Sequence, residues 1–275
     1  MDTLHVGGTA VDLDKTPILI AGPCVLENLD DALRVAAECA EAARREGFFY
    51  VFKSSYLKDN RSAIDSYAGP GLAKGLEMLA AIKAKAGVPL LTDVHCREEV
   101  SRAAEVVDVI QIPAFLVRQT RLVIAAAKTG RVINLKKSQM LSPEEMLNAV
   151  EKARVSGAKD IMITERGTSF GYQNLVVDFT AFPRMRPFGV PLIFDATHSL
   201  QLPGGLGTRS GGRPEYVATL ARAAVAAGCD GVFIETHFAP LACRCDAEAM
   251  LPLERLSPLL GELAKLWRLA RTFTV

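Results

Sequence analysis

The chain has 275 residues, 49% of them hydrophobic, with 32 Lys and Arg against 31 Asp and Glu and a formal net charge of +1. That balance gives no long-range field for nucleic acid or an anionic membrane surface, and no apolar run approaches the roughly 20 residues of a membrane span. The length, residues 1–275 taken as one catalytic domain, suits a single barrel of about 250 residues.

Six cysteines in a chain this long do not make a disulfide scaffold. Met1-Asp2-Thr3-Leu4-His5 lacks a basic region followed by an apolar stretch. A cytoplasmic protein with reduced thiols is expected.

In chain order, residues 4–13 read as a small hairpin turning at Gly7-Gly8, placed to plug one end of a barrel. Strand candidates come next at 18–21, 49–53, 90–94, 107–112, 132–135, 161–165, 192–195 and 231–235. They are short, rich in β-branched and aromatic residues, and apolar on consecutive positions, as in parallel strands buried on both faces. Helical stretches lie between them at 30–46, 72–86, 97–105, 120–128, 143–156, 214–227 and 253–269, and the link 178–189 has room for only a short helix. Ser142-Pro143-Glu144-Glu145 reads as a helix start, and Gly47, Gly87, Gly130 and Gly228 as helix ends. Strict alternation of strand and helix predicts an α/β protein: a closed (β/α)8 TIM barrel with a short N-terminal β-hairpin.

The chemistry sits at the strand ends. The runs end in Gly22-Pro23-Cys24, Lys53-Ser54-Ser55, Thr92-Asp93-Val94-His95, Gln111-Ile112-Pro113, Asn134-Leu135-Lys136-Lys137, Thr164-Glu165-Arg166-Gly167, Asp195-Ala196-Thr197-His198 and Glu235-Thr236-His237. The C-terminal ends of barrel strands are where such folds keep their active sites. Two long loops, 54–71 and 199–212, lie on the same face.

Cys24, His198 and Glu235 end or follow the first, seventh and eighth strands, which adjoin when a barrel closes, and Asp246 lies in the loop after the eighth. Thiolate, imidazole and carboxylates suit a divalent Zn, Fe or Mn ion better than Mg or Ca. The spacing forms no compact metal motif, and Cys24 taken alone reads equally well as a buried apolar thiol. Cys243 and Cys245, just before Asp246, read as surface-loop cysteines or as further ligands; Cys96 follows His95 and stands near the same end, while Cys39 and Cys229 read as core. Lys53, Lys58, Arg61, Lys136, Lys137, Arg166 and Arg209 all fall on the catalytic face. One loop cation is usually a solvated charge, but so many together predict a pocket for anionic substrates.

These stretches resemble the 3-deoxy-D-manno-octulosonate 8-phosphate synthases over nearly the whole chain. The resemblance is carried by Ala21-Gly22-Pro23-Cys24, Phe52-Lys53-Ser54-Ser55-Tyr56, Ile110-Gln111-Ile112-Pro113-Ala114-Phe115-Leu116, Thr164-Glu165-Arg166-Gly167-Thr168, Asp195-Ala196-Thr197-His198-Ser199 and Gln201-Leu202-Pro203-Gly204-Gly205. That family condenses phosphoenolpyruvate with D-arabinose 5-phosphate, on the route to lipopolysaccharide. Lys58-Asp59-Asn60-Arg61-Ser62 is similar to this branch, where relatives using erythrose 4-phosphate carry a Lys-Pro-Arg-Thr-Ser type stretch.

Cys24 after Gly-Pro resembles the metal-dependent class, which implies one divalent ion on Cys24, His198, Glu235 and Asp246 and no organic cofactor. The resemblance implies phosphoenolpyruvate contacts from Lys53, Lys58, Gln111, Lys136, Arg166 and His198. Asn60, Arg61, Ser62 and Asp93 would hold the arabinose 5-phosphate, and Arg118 would reach into a neighbouring subunit of a homotetramer. His198, Lys136, Asp93 and Asn60 are the expected catalytic residues. The chain departs from the family at Ser138, at Ala68 and over residues 238–243, the last beside Asp246. An enzyme using erythrose 4-phosphate or another aldose, a metal-dependent aldolase or lyase, and a catalytically silent barrel that binds sugar phosphate or a partner protein are the competing readings; the last predicts loss of pocket residues that are all present.

Overall fold

A computed structural model describes residues 3–61, 63–205 and 211–273. Eight parallel strands form the barrel: β1 (Ile18–Gly22), β2 (Phe49–Lys53), β3 (Leu90–Asp93), β4 (Val109–Ile112), β5 (Val132–Lys136), β6 (Ile161–Glu165), β7 (Leu192–Asp195) and β8 (Gly231–His237). They pair in chain order, and β8 closes the ring by bonding both β7 and β1. Asp195 is in register with Phe233, and Glu235 with Gly22, so the ends of β7, β8 and β1 stand side by side. The alternation read from the sequence is therefore the closed barrel it predicts.

The pleat sorts each strand's side chains by period two. Ile18, Ile20, Val51, Leu91, Val109, Val132, Met162, Ile193 and Phe233 point inward and form one apolar cluster. Their neighbours, Leu19, Ala21, Tyr50, Phe52, Ile110, Ile133, Ile163 and Phe194 among them, pack outward against the helices. Moving two residues on from the inward apolar positions reaches Lys53, Asp93, Gln111, Asn134, Thr164, Asp195 and Glu235, all buried. The barrel is thus apolar toward its N-terminal end and polar toward the other.

The N-terminal hairpin, Thr3–Val6 with Thr9–Asp12, turns through Gly7 and Gly8 at φ 57° and 83°. Positive φ at both central residues is the turn that matches strand twist. Leu4, Val6, Val11 and Leu13 join the inward cluster, so the hairpin stoppers the apolar end as expected.

The helices are α1 (Leu29–Glu46), α2 (Leu72–Ala86), α3 (Arg97–Val106), α4 (Thr120–Ala127), α5 (Met146–Val155), α6 (Ala181–Met185), α7 (Val217–Ala226) and α8 (Leu256–Ala270). The 178–189 link holds only short α6 and one 3-10 turn. Three helices begin later than the sequence predicts. Met146 N–H bonds Pro143 O, a tight i to i+3 contact, so 143–145 form a turn before α5; Pro214–Tyr216 and Leu253–Arg255 are 3-10 turns before α7 and α8. Unsatisfied amides at a helix start are commonly met this way. Ser142 still acts at the first of these: Ser142 N–H donates to Glu145 and Glu145 N–H to the Ser142 hydroxyl, a reciprocal cap.

Candidate active site

The polar end of the barrel gathers most of the residues singled out from the sequence. Cys24 follows β1 through Gly22, where a Cβ would overlap the Lys53 carbonyl oxygen, so only glycine lets the two strands meet there. Cys24 is fully buried. Its Sγ lies 3.1 Å from Asp246 Oδ2 and 3.0 Å from Cys245 Sγ. His198 Nε2 lies 3.5 Å from Glu235 Oε1 and 3.8 Å from Asp246 Oδ2. Asp246 therefore belongs to two overlapping groups of metal-capable atoms, one with Cys24 and Cys245 and one with His198 and Glu235. Asp246 itself sits at φ 49°, a left-handed backbone that aspartate tolerates better than most residues.

Asp195 organises the imidazole. Its carboxylate lies 2.7 Å from His198 Nδ1 and 2.5 Å from Lys136 Nζ, and accepts from the backbone N–H of His198. Burial raises the Asp195 pKa, but His198 and Lys136 outweigh it and hold the group well below the usual carboxylate range. At Lys136 burial, with Lys53 and Arg166 nearby, outweighs Asp195 and pulls the amine below its ordinary range. Lys53 pairs with Glu235 and donates to Cys24 O at 2.9 Å. Glu235 is held down at about 2, because His198, Lys53 and Lys58 overcome the burial that opposes its charge. Lys136 and Lys53 both stand over the Phe233 ring, the floor between the apolar and polar halves.

Arg166 is 4% exposed, and its Nη2 donates to His198 O and to Gln201 Oε1. Its Nη1 is buried with no protein partner among the described residues, an unsatisfied cationic donor that an anionic ligand would complete. Lys58 is partly exposed, and burial opposes its charge; Cys24, Glu235, Cys245 and Asp93 nevertheless hold its pKa well above the ordinary range. Gln111 is set by a buried chain in which Thr164 donates to Asn134 and Asn134 donates to Gln111. Asp93 accepts from Ser55 Oγ and faces His95 Nε2 at 3.1 Å.

Other expected residues are exposed, turn away from the cluster or fall outside the described residues. Asn60 and Arg61 are exposed, and Arg61 donates to Ile64 O and Ser66 O of its own loop rather than into the pocket. Arg118 is exposed on the loop after β4. Ser62 and Arg209 lie outside the described residues. Lys137 is not part of the anionic-substrate pocket: pleating turns it opposite to Lys136, where it pairs with Glu165 at 3.4 Å and donates to Thr168. Cys96 is exposed at the start of α3, while Cys39 and Cys229 are core thiols pushed up to about 12 by burial.

Asp195 and Gln201 carry no assigned role in the sequence. Asp195 has a signal, an Asp-x-x-His spacing at a strand end. Gln201 bridges Arg166 and Asp246 by donating to Asp246 Oδ1 at 2.9 Å, and only the packing of two distant loops reveals it. Cys245 reads more readily as a surface thiol, yet it touches Cys24.

A (β/α)8 barrel with thiol, imidazole and carboxylate donors beside buried cations belongs to the class of barrel enzymes that handle anionic substrates at their C-terminal face. A sequence model of the DAHP synthetase I family matches residues 9–269. A protein of Nitratidesulfovibrio vulgaris (strain DP4) named 2-dehydro-3-deoxyphosphooctonate aldolase is 56% identical over 251 residues, 91% of this chain and 92% of its own. Proteins of the same name from Trichlorobacter lovleyi and Syntrophobacter fumaroxidans are 50% and 53% identical, over 96% and 92% of this chain and 97% and 88% of their own. The chain belongs to the DAHP synthetase I family.

Proposed function

We propose that this enzyme joins phosphoenolpyruvate to D-arabinose 5-phosphate with water, releasing inorganic phosphate and 3-deoxy-D-manno-octulosonate 8-phosphate, a lipopolysaccharide precursor. The carrying observation is the buried Arg166 guanidinium, whose Nη1 has no protein partner among the described residues, set beside Lys136 and Lys53 and next to the thiol–imidazole–carboxylate cluster. The names of close relatives over nine-tenths of the chain support the substrate pair.

The donor set fits a divalent ion. Cys24, His198, Glu235 and Asp246 crowd acidic groups together, and an inserted cation relieves the repulsion that crowding creates. When bound, the ion supplies Lewis acidity, orienting the aldehyde and activating water. Zinc, iron and manganese all suit these donors.

The chain's own residues do the rest. Arg166 and Lys53 take the phosphate and carboxylate of phosphoenolpyruvate, and Gln111 fixes its orientation. Two polyanions held side by side repel each other, and the cations offset that repulsion while positioning C3 of phosphoenolpyruvate against the aldehyde carbon. Lys136 has a depressed pKa and a hydrogen-bond route through Asp195 to His198, so it can hold and pass a proton during carbon–carbon bond formation and water addition at C2. Phosphate then leaves by C–O cleavage. Asp93, anionic beside His95, accepts from a hydroxyl of the sugar phosphate; Asn60, Arg61 and Ser62 bind it as well, and Lys58 contacts phosphoenolpyruvate. Arg118 serves a neighbouring subunit in a homotetramer, and the enzyme works in the cytoplasm; among the described residues no helix is long and apolar enough to cross a membrane.

The test is incubation of reduced, metal-loaded protein with phosphoenolpyruvate and either arabinose 5-phosphate or erythrose 4-phosphate, reading phosphate release. Release with the five-carbon sugar, abolished by chelator, is expected. Release with erythrose 4-phosphate alone overturns the assignment.

A further inference from the structure

Cys245 occupies a place that neither its loop setting nor the implied four-residue ligand set explains. Its Sγ lies 3.0 Å from the buried Cys24 Sγ, and Cys24, Cys245 and Asp246 place one donor atom each within 4.8 Å of one another. Cys245 and Asp246, successive in the chain, both reach the same buried thiol, with Asp246 at a left-handed φ of 49°. Cys243, two residues earlier, instead directs its Sγ to Ala239 O at 3.7 Å. The pairing is therefore particular to Cys245.

We infer that Cys245 is a further ligand of the divalent ion, giving the site two thiolates alongside His198, Glu235 and Asp246. This rests on the metal site proposed above and adds to it. Two metal–sulfur bonds of about 2.3 Å meeting at an angle of ~90–110° hold their sulfurs ~3.3–3.8 Å apart. The sulfurs here need only separate by ~0.3–0.8 Å to admit an ion between them. A second thiolate makes the site softer, favouring zinc, iron or cobalt over manganese and magnesium.

The probe is Co2+ added to fully reduced protein, because sulfur-to-cobalt charge transfer in the near ultraviolet grows with the number of bound thiolates. Cys245→Ser is expected to lose about half the band per bound ion, as is Cys24→Ser, while Cys243→Ser keeps all of it. A full-strength band in Cys245→Ser overturns the inference and leaves the metal site standing. Absence of any band in the unaltered protein overturns the metal site itself. X-ray absorption on the zinc-loaded, unaltered protein needs no variant: two sulfur neighbours at about 2.3 Å are expected, and one sulfur overturns the assignment.

Discussion

His198 Nδ1 lies 2.7 Å from Asp195 Oδ2, and this pairing aims Nε2 at Glu235 and Asp246. Carboxylates that grip the far nitrogen of a ligating histidine fix its tautomer and ring orientation. Asp195→Asn is expected to weaken metal binding by about 10- to 100-fold. Competition with a chelator of known affinity measures it.

Cys24 and the cationic well make separable contributions. Cys24→Ala should hold its metal more weakly, read by elemental analysis after dialysis against chelator, and lose product formation. Cys24→Asn should likewise give up its metal to chelator, yet release phosphate slowly with chelator present, because Lys53, Lys136 and Arg166 remain in place. Complete inactivity of Cys24→Asn with intact folding would show that the ion does more than arrange the pocket.

Lys136 and Lys137 adjoin in sequence but serve opposite sides of the sheet. Both ends of the Lys137–Glu165 pair are nearly inaccessible, at 1% and 2% exposure. Removing one partner from a buried pair costs about 3–5 kcal/mol. Lys137→Met should lower unfolding free energy by that order in denaturant titrations, while KM for both substrates changes little. Lys136→Met should instead abolish turnover in protein that still binds phosphoenolpyruvate.

The Asp93–His95 pair gives a pH signature. Burial works against both charges. At Asp93, His95, Lys58 and Lys53 prevail and lower its pKa well below the carboxylate norm; at His95, Asp93 and Glu99 prevail and raise its pKa. A lowered acid stabilises the fold above its unfolded pKa, about 3.9, and loses this as pH falls; a raised histidine stabilises below its unfolded pKa, about 6.5, and loses this as pH climbs. The stability difference between the unaltered protein and His95→Gln should peak between about pH 4 and 6.5 and shrink on either side. A difference that grows toward pH 9 would contradict the pairing.

Much of the fold and site is legible in residue order. Apolar runs with reactive residues at their ends identify the strands and the working face, and Gly7-Gly8 locates the plugging hairpin. Cys24, His198, Glu235 and Asp246 stand out as a group because consecutive strand ends adjoin in a closed barrel. Residue order alone starts the helices at 143, 214 and 253 too early, since a first turn with i to i+3 bonds leaves the same signals as a full helical start.

Residue order by itself determined the barrel, since alternating strand and helix patterns with buried faces admit few architectures, and it determined which end would be polar. Only the tertiary structure decided which cations share the pocket: the pleat sends Lys136 in and Lys137 out, and Arg61 folds back on its own loop. It alone set Cys245 against Cys24 and Gln201 between Arg166 and Asp246, because these contacts join loops far apart in the chain, and their meeting depends on backbone path rather than local spacing.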